Sequence, residues 1–129
     1  MKKSAWYNSD ILPKEMIKGA NAEFPGWKKL EYSEHFKVLD SIICDLNISS
    51  IVDIGCGAGE VGRVYNNYKY CGCDLPHIID EVSMIVNPDK NYVKFDAYNL
   101  GDLSFMREYD LILMNGFLSE LENTLDFLK

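Results

Sequence analysis

Three glycines fall within five residues in the stretch Asp53-Ile54-Gly55-Cys56-Gly57-Ala58-Gly59. Glycine reaches positive φ without strain and leaves room for a ligand against the backbone. Such a turn binds molecules; it does not itself break bonds. Two carboxylates close apolar runs further on, Asp74 after Tyr70-Cys71-Gly72-Cys73 and Asp96 after Tyr92-Val93-Lys94-Phe95. Gly57-Ala58-Gly59-Glu60-Val61-Gly62 matches the dinucleotide pattern G-x-G-x-x-G letter for letter. That pattern should open directly after a strand, whereas Gly57 comes two residues past Gly55 and four past Asp53. A dinucleotide rests its pyrophosphate on the helix N-terminus, where a neighbouring carboxylate repels it. Asp53 suits a ligand carrying positive charge, such as a sulfonium or an amino group. The bland alternative is a glycine turn that only makes a sharp bend.

No general base stands out. His35, on a front helix, and His77, shortly after Asp74, read as surface or packing residues, so no catalytic residue is assigned. Cys44, Cys56, Cys71 and Cys73 each sit in an apolar or glycine-rich element and read as buried free thiols. Neither disulfides nor a metal site is expected of them. Cys71 and Cys73 fall in a strand, with their thiols expected on opposite faces.

The elements that must position these groups alternate. Residues 13–22 read as a short helix opened by Pro13, within an irregular first segment, residues 1–32. A second helix begins after Ser33, a good N-cap, and repeats Phe36, Leu39, Ile43 and Leu46 at helical spacing. Residues 50–54 form a buried strand, and a helix follows over about 58–67. Residues 69–73 form a second strand, and Pro76 opens a helix running to about Val86. Tyr92 to Phe95 is a third strand, 103–107 a helical turn, and Tyr109 to Met114 a fourth strand. Ser119-Glu120-Leu121-Glu122 has capping-box spacing and opens a last helix through Phe127. Alternation of this kind means a parallel sheet with helices on its faces, an α/β fold in one domain.

Composition narrows the partners. Thirteen basic against twenty acidic residues leave a net charge of −7, which disfavours nucleic acid, since affinity there comes from neutralised phosphates. Lys2-Lys3 is followed by no apolar stretch that would make a signal peptide, and runs such as Leu111-Ile112-Leu113-Met114 are far shorter than a membrane span. No membrane partner is expected, and the expected compartment is the cytoplasm.

The segment 51–59 resembles the first motif of class I, Rossmann-like, S-adenosylmethionine-dependent methyltransferases. The order of the rest is similar too. Tyr70-Cys71-Gly72-Cys73-Asp74-Leu75 resembles the second strand with its acidic end, Tyr92-Val93-Lys94-Phe95-Asp96-Ala97 the third, and Tyr109-Asp110-Leu111-Ile112-Leu113-Met114-Asn115 the fourth. The likeness runs from about residue 33 to the end, which would make 33–129 the cofactor-binding core and 1–32 a lid.

The resemblance implies a three-layer sandwich with strand order 3-2-1-4, truncated relative to the family's seven strands, and S-adenosylmethionine as cofactor with S-adenosylhomocysteine as product. It implies that backbone around Gly55, Cys56, Gly57 and Gly59 lines the methionine end near Asp53. Asp74 would take the ribose hydroxyls, Leu75 would pack on the adenine, Asp96 and Ala97 would meet its polar edge, and Asn115 would stand at the substrate boundary. Each has a plainer reading: Asp74 a helix cap, Asp96 a turn residue, Asn115-Gly116 a turn. Trp6, Tyr7, Trp27 and Tyr32 are either a lid over the site or core.

Many relatives carry a histidine soon after the fourth strand. Phe117-Leu118-Ser119-Glu120 has none. The fourth strand also lacks the Asp/Asn-Pro-Pro-aromatic sequence of amino-methylating DNA enzymes, and there is no Pro-Cys pair, so a small-molecule acceptor is expected. Two other readings stay open, a non-catalytic cofactor-binding domain and an NAD-binding module. With no fifth strand after Met114, the fourth strand's edge is expected to lack a neighbour and to favour self-association.

Overall fold

The computed structural model describes residues 11–23, 28–96 and 101–114. Within them the chain runs α1 (Leu12–Ala20), a 3-10 turn (Leu30–Tyr32), α2 (Glu34–Asp45), β1 (Ser50–Ile54), α3 (Glu60–Val64), β2 (Lys69–Asp74), a composite helix α4 (76–86), β3 (Asn91–Lys94), a second 3-10 turn (Ser104–Glu108) and β4 (Leu111–Leu113). The four strands form one parallel sheet in the order β3-β2-β1-β4, as expected. β1 is buried along its whole length because it pairs on both sides, Asp53 standing opposite Gly72 of β2 and Leu113 of β4. Its apolar run is what a strand covered on both faces requires.

Alternate residues feed two cores. Ile51 and Tyr70 pack with Leu39 and Ile43 of α2 and Val61 of α3, while Val52, Ile54, Cys71 and Cys73 pack with Phe95 and Met106. A third cluster joins Ala58, Leu75, Ile78 and Val82 to Leu12, Met16 and Ile17 of α1. The result is an α/β sandwich of the Rossmann-like kind. No helix among the described residues is long and apolar enough to cross a membrane.

Several expectations need correction. Cys71 and Cys73 share a face, because residues two apart on a strand point the same way. Cys44 is exposed on α2, whereas the other three thiols are buried. Ser33 stands at the start of α2, but its hydroxyl donates to the Leu30 carbonyl at 2.7 Å and makes no cap bond. The preceding 3-10 turn places that carbonyl within reach. Leu46 is 50% exposed because α2 ends before it and Asn47 turns into positive φ. α3 is shorter than expected, since Gly59 is left-handed (φ 76°) and Tyr65 leaves helical geometry. The expected last helix, and with it the question of what borders β4, falls outside the described residues, as do Ala97, Asn115, Trp6, Tyr7 and Trp27. Tyr32 is 68% exposed.

Candidate ligand site at the carboxyl ends of the strands

In parallel sheets, ligands bind outside the carboxyl ends of the strands, and of the expected residues the described ones, Asp53, Gly55, Cys56, Gly57, Gly59, Asp74, Leu75 and Asp96, lie at that end of the sheet. The β1–α3 turn leaves the sheet through three positive-φ glycines, Gly55 (79°), Gly57 (53°) and Gly59 (76°). Its amides are used within the protein. Gly55 and Cys56 N–H donate to the Cys73 carbonyl at 2.8 and 3.1 Å, and Gly59 N–H donates to Cys56 O at 2.9 Å. Gly57 N–H donates to Asp74 Oδ2 at 2.9 Å.

Asp74 is thereby placed by both turns. Its other oxygen, Oδ1, accepts the N–H of Leu75 at 2.8 Å. α4 receives no side-chain cap, so Asp74 ties β2 to the glycine turn instead of capping the helix. Each carboxylate oxygen has a second lone pair, so two acceptor sites remain. Burial pushes the Asp74 carboxyl above its ordinary range, against the pull of the Gly57 and Leu75 amides. Leu75 itself is buried with Ala58, Ile78 and Val82. Asp96 is half-buried just past β3, whose end is held beside β2 by Phe95 N–H donating to Asp74 O at 2.7 Å.

Asp53 is 3% exposed. Burial raises its carboxyl to about 7; the Tyr70 hydroxyl, donating to Oδ2 at 2.8 Å, opposes the rise, and Asp74 adds to it. Cys56 is buried, and its thiol is pushed up by burial and by Asp53 and Asp74. His35 is exposed; His77 is half-buried, and its Nε2 has no hydrogen-bond partner among the described residues.

The sequence reading missed the side chains that fix the turn. The middle of α4 is a π-helical segment, Ile79–Ser83, a feature frequent at functional sites. It delivers Ser83, whose hydroxyl donates to Gly57 O at 2.5 Å. One turn on, Asn87 Nδ2 donates to Ala58 O at 2.7 Å, and Tyr92 Oη donates to Asn87 O at 2.7 Å. A Cβ at Gly59 would fall on that Tyr92 hydroxyl.

Beside the turn, α1, Leu30 and the start of α3 enclose a cavity of about 610 Å³, lined among others by Leu12, Met16, Leu30, Ala58, Glu15 and Glu60. Glu60 is engaged by Arg63, which also holds Glu31 bidentately. That ion-pair cluster fixes the 3-10 turn Leu30–Tyr32 against α3.

No family model and no curated protein matches the sequence. Among solved structures, the chain is similar to the plantazolicin methyltransferase BpumL in complex with SAH, with a TM-score of 0.60 and 23% identity. The two share a fold. The match covers 96% of this chain and 49% of the other, so the chain spans about half the length of that enzyme.

Proposed function

We propose that this chain binds S-adenosylmethionine at the carboxyl ends of β1, β2 and β3 and is the cofactor-binding part of a methyltransferase acting on a small molecule. The observation that carries the reading is the Asp74 carboxylate seated on Gly57 N–H. A dinucleotide turn offers its amides to pyrophosphate. Here the Gly55, Cys56, Gly57 and Gly59 amides are already taken, one of them by an anion, with Asp53 buried close by. This electrostatics repels a phosphate and favours a ligand bearing sulfonium and ammonium charge. The shared fold with an enzyme solved in complex with SAH supports the same reading.

Asp74 then takes the ribose hydroxyls with its remaining lone pairs, and Asp96 and Ala97 meet the adenine edge against Leu75. The turn Gly55, Cys56, Gly57 and Gly59 faces the methionine end, and Asn115 stands toward the acceptor. The cavity beside Ala58 has the volume of an ordinary small-molecule site and takes the acceptor. Methyl transfer from a sulfonium is mainly a matter of positioning, which suits a site with no assigned base.

Calorimetry with S-adenosylmethionine, S-adenosylhomocysteine and NAD tests the cofactor. Either adenosyl ligand should bind more tightly than NAD; tighter NAD binding overturns the reading. A turnover assay with labelled S-adenosylmethionine then separates an enzyme from a binder.

A further inference from the structure

Two glycines outside the ligand turn have no turn to make. Gly72 lies inside β2 and Gly62 inside α3, and both are buried. Glycine in an element interior is destabilising against alanine, so an occupant of the space each leaves is expected. At Gly62 it is Tyr70, and at Gly72 it is Tyr70 together with Tyr92 and Cys56. A Cβ at Gly62 would stand 2.7 Å from the Tyr70 ring, and one at Gly72 would stand 2.9 Å from Tyr70 Oη. Tyr70 lies two residues before Gly72 on the same face of β2, and Gly72 is the register partner of Asp53. The ring therefore lies along the sheet across Gly72, and its hydroxyl reaches Asp53 Oδ2 at 2.8 Å. No donor among the described residues reaches Asp53 Oδ1.

We propose that Tyr70 is a positioning residue: it fixes one oxygen of Asp53 so that the other is presented to the cationic part of the ligand. This rests on the function proposed above. A ring that only filled the core would need neither the hydroxyl nor its alignment on a buried carboxylate. The titratable groups that interact with Asp53 are Tyr70 and Asp74 of β2, Cys56 of the turn, Tyr92 of β3 and, from the other face of the sheet, Cys73. No cation is among them, and α2, α3 and β4 contribute no titratable group to its environment among the described residues. A ligand cation is thus the missing partner, and its binding requires the ionised form of Asp53.

The sign follows. Burial lifts the Asp53 carboxyl to about 7, so affinity for S-adenosylhomocysteine rises with pH through neutrality and falls again where the ligand's ammonium loses its proton. Tyr70→Phe removes the one interaction that favours the carboxylate, and the step moves upward. A step moved from about 7 to about 8 lowers the ionised fraction at pH 7 from about a half to about a tenth, so binding there is roughly fivefold weaker, and the affinity maximum moves to higher pH.

The experiment is calorimetry of S-adenosylhomocysteine binding across pH 6–9 for the parent, Tyr70→Phe and Asp53→Asn, with carboxyl NMR of the ligand-free proteins. The proposal is supported if Tyr70→Phe shifts the step while Asp53→Asn abolishes it. It is overturned if Tyr70→Phe binds like the parent at every pH, or if Asp53→Asn keeps the step. A Tyr70→Phe protein that is equally weak at all pH values also overturns it, since that is the mark of lost packing alone. NMR reads the Tyr70–Asp53 contact without ligand: an unmoved Asp53 titration in Tyr70→Phe overturns the proposal, whereas failure of the parent to bind while that titration does move overturns the cofactor reading and the cationic partner with it.

Discussion

The two ends of the sheet treat the same side chain in opposite ways. At the amino ends, Asp110 before β4 accepts the Ser49 N–H at 2.9 Å and the Ser49 hydroxyl at 3.2 Å, while its own N–H donates to Ser50 Oγ at 2.7 Å. The Ser49 amide holds its carboxyl below the ordinary range. At the carboxyl ends, burial holds Asp53 and Asp74 above that range. A carboxylate held low stabilises the fold in its charged form, and one held high costs the fold when charged. Costly ionisable groups gathered at one end of a sheet mark where a partner from outside is expected. On the proposed function, the contrast separates residues that hold the strands from residues kept for a ligand.

The largest test neutralises the costliest group. Asp53 has its folded value near 7, above its unfolded value, so its contribution to stability is present in acid and is lost as pH rises from about 4 through 7. Asp53→Asn should therefore stabilise the ligand-free chain by on the order of 2–4 kcal/mol at pH 8 and by little at pH 4. Urea melts at the two pH values measure this. Equal destabilisation at both would erase the difference between the two ends of the sheet.

Next comes the turn itself. Gly59→Ala forces a side chain into left-handed backbone and onto the Tyr92 hydroxyl, breaking its bond to Asn87. The backbone strain and the lost bond together should cost about 2–3 kcal/mol, read as a lower urea midpoint. A midpoint like the parent's would mean that the network fixing the turn contributes nothing to its shape.

Asp74→Ala should give a smaller change in stability with a clear loss of ligand. It leaves Gly57 N–H without its acceptor but relieves a buried charge, for a net cost of about 1 kcal/mol. Lost hydrogen bonds to a charged acceptor should weaken S-adenosylhomocysteine binding at least roughly tenfold. A folded Asp74→Ala that binds like the parent would remove Asp74 from the ligand side of the comparison.

These residues were not equally legible in the sequence. The alternation of strands and helices and the places of Gly55, Asp74 and Asp96 follow from local signals, because apolar runs, glycine turns and strand-end carboxylates all lie within a few residues of one another; the sheet order is what the family resemblance implies. Tyr70, Ser83, Asn87 and Tyr92 were not legible, because their partners lie on other elements and the π-helical segment that aims Ser83 has no sequence signature. Gly72 inside a strand and Gly62 inside a helix were the available signal, since a glycine with no turn to make is keeping a space for something. The faces of Cys71 and Cys73 needed only the two-residue period of a strand, and Ser33 was misread because its choice between capping forward and donating backward depends on where Leu30 sits.

The smallest effect belongs to the amino end, and it is the control for the others. Asp110 is exposed, and its carboxyl is held low, so its contribution is present above the unfolded value near 4 and is lost as pH falls through the folded one. Asp110→Asn keeps an acceptor for Ser49 but removes the charge. Its melting temperature should fall slightly below the parent's at pH 7, and the difference should close in acid, opposite in direction to Asp53→Asn. Salt should shrink the difference, because exposed charges are screened. Affinity for S-adenosylhomocysteine should stay within about twofold of the parent, since β4 meets β1 here at the end of the sheet away from the glycine turn. Thermal melts at pH 7 and pH 3 with one binding titration read all three. A tenfold loss of affinity in Asp110→Asn would mean that the ends of the sheet are coupled through β1, and that raised carboxyls at one end and lowered carboxyls at the other do not divide ligand residues from structural ones.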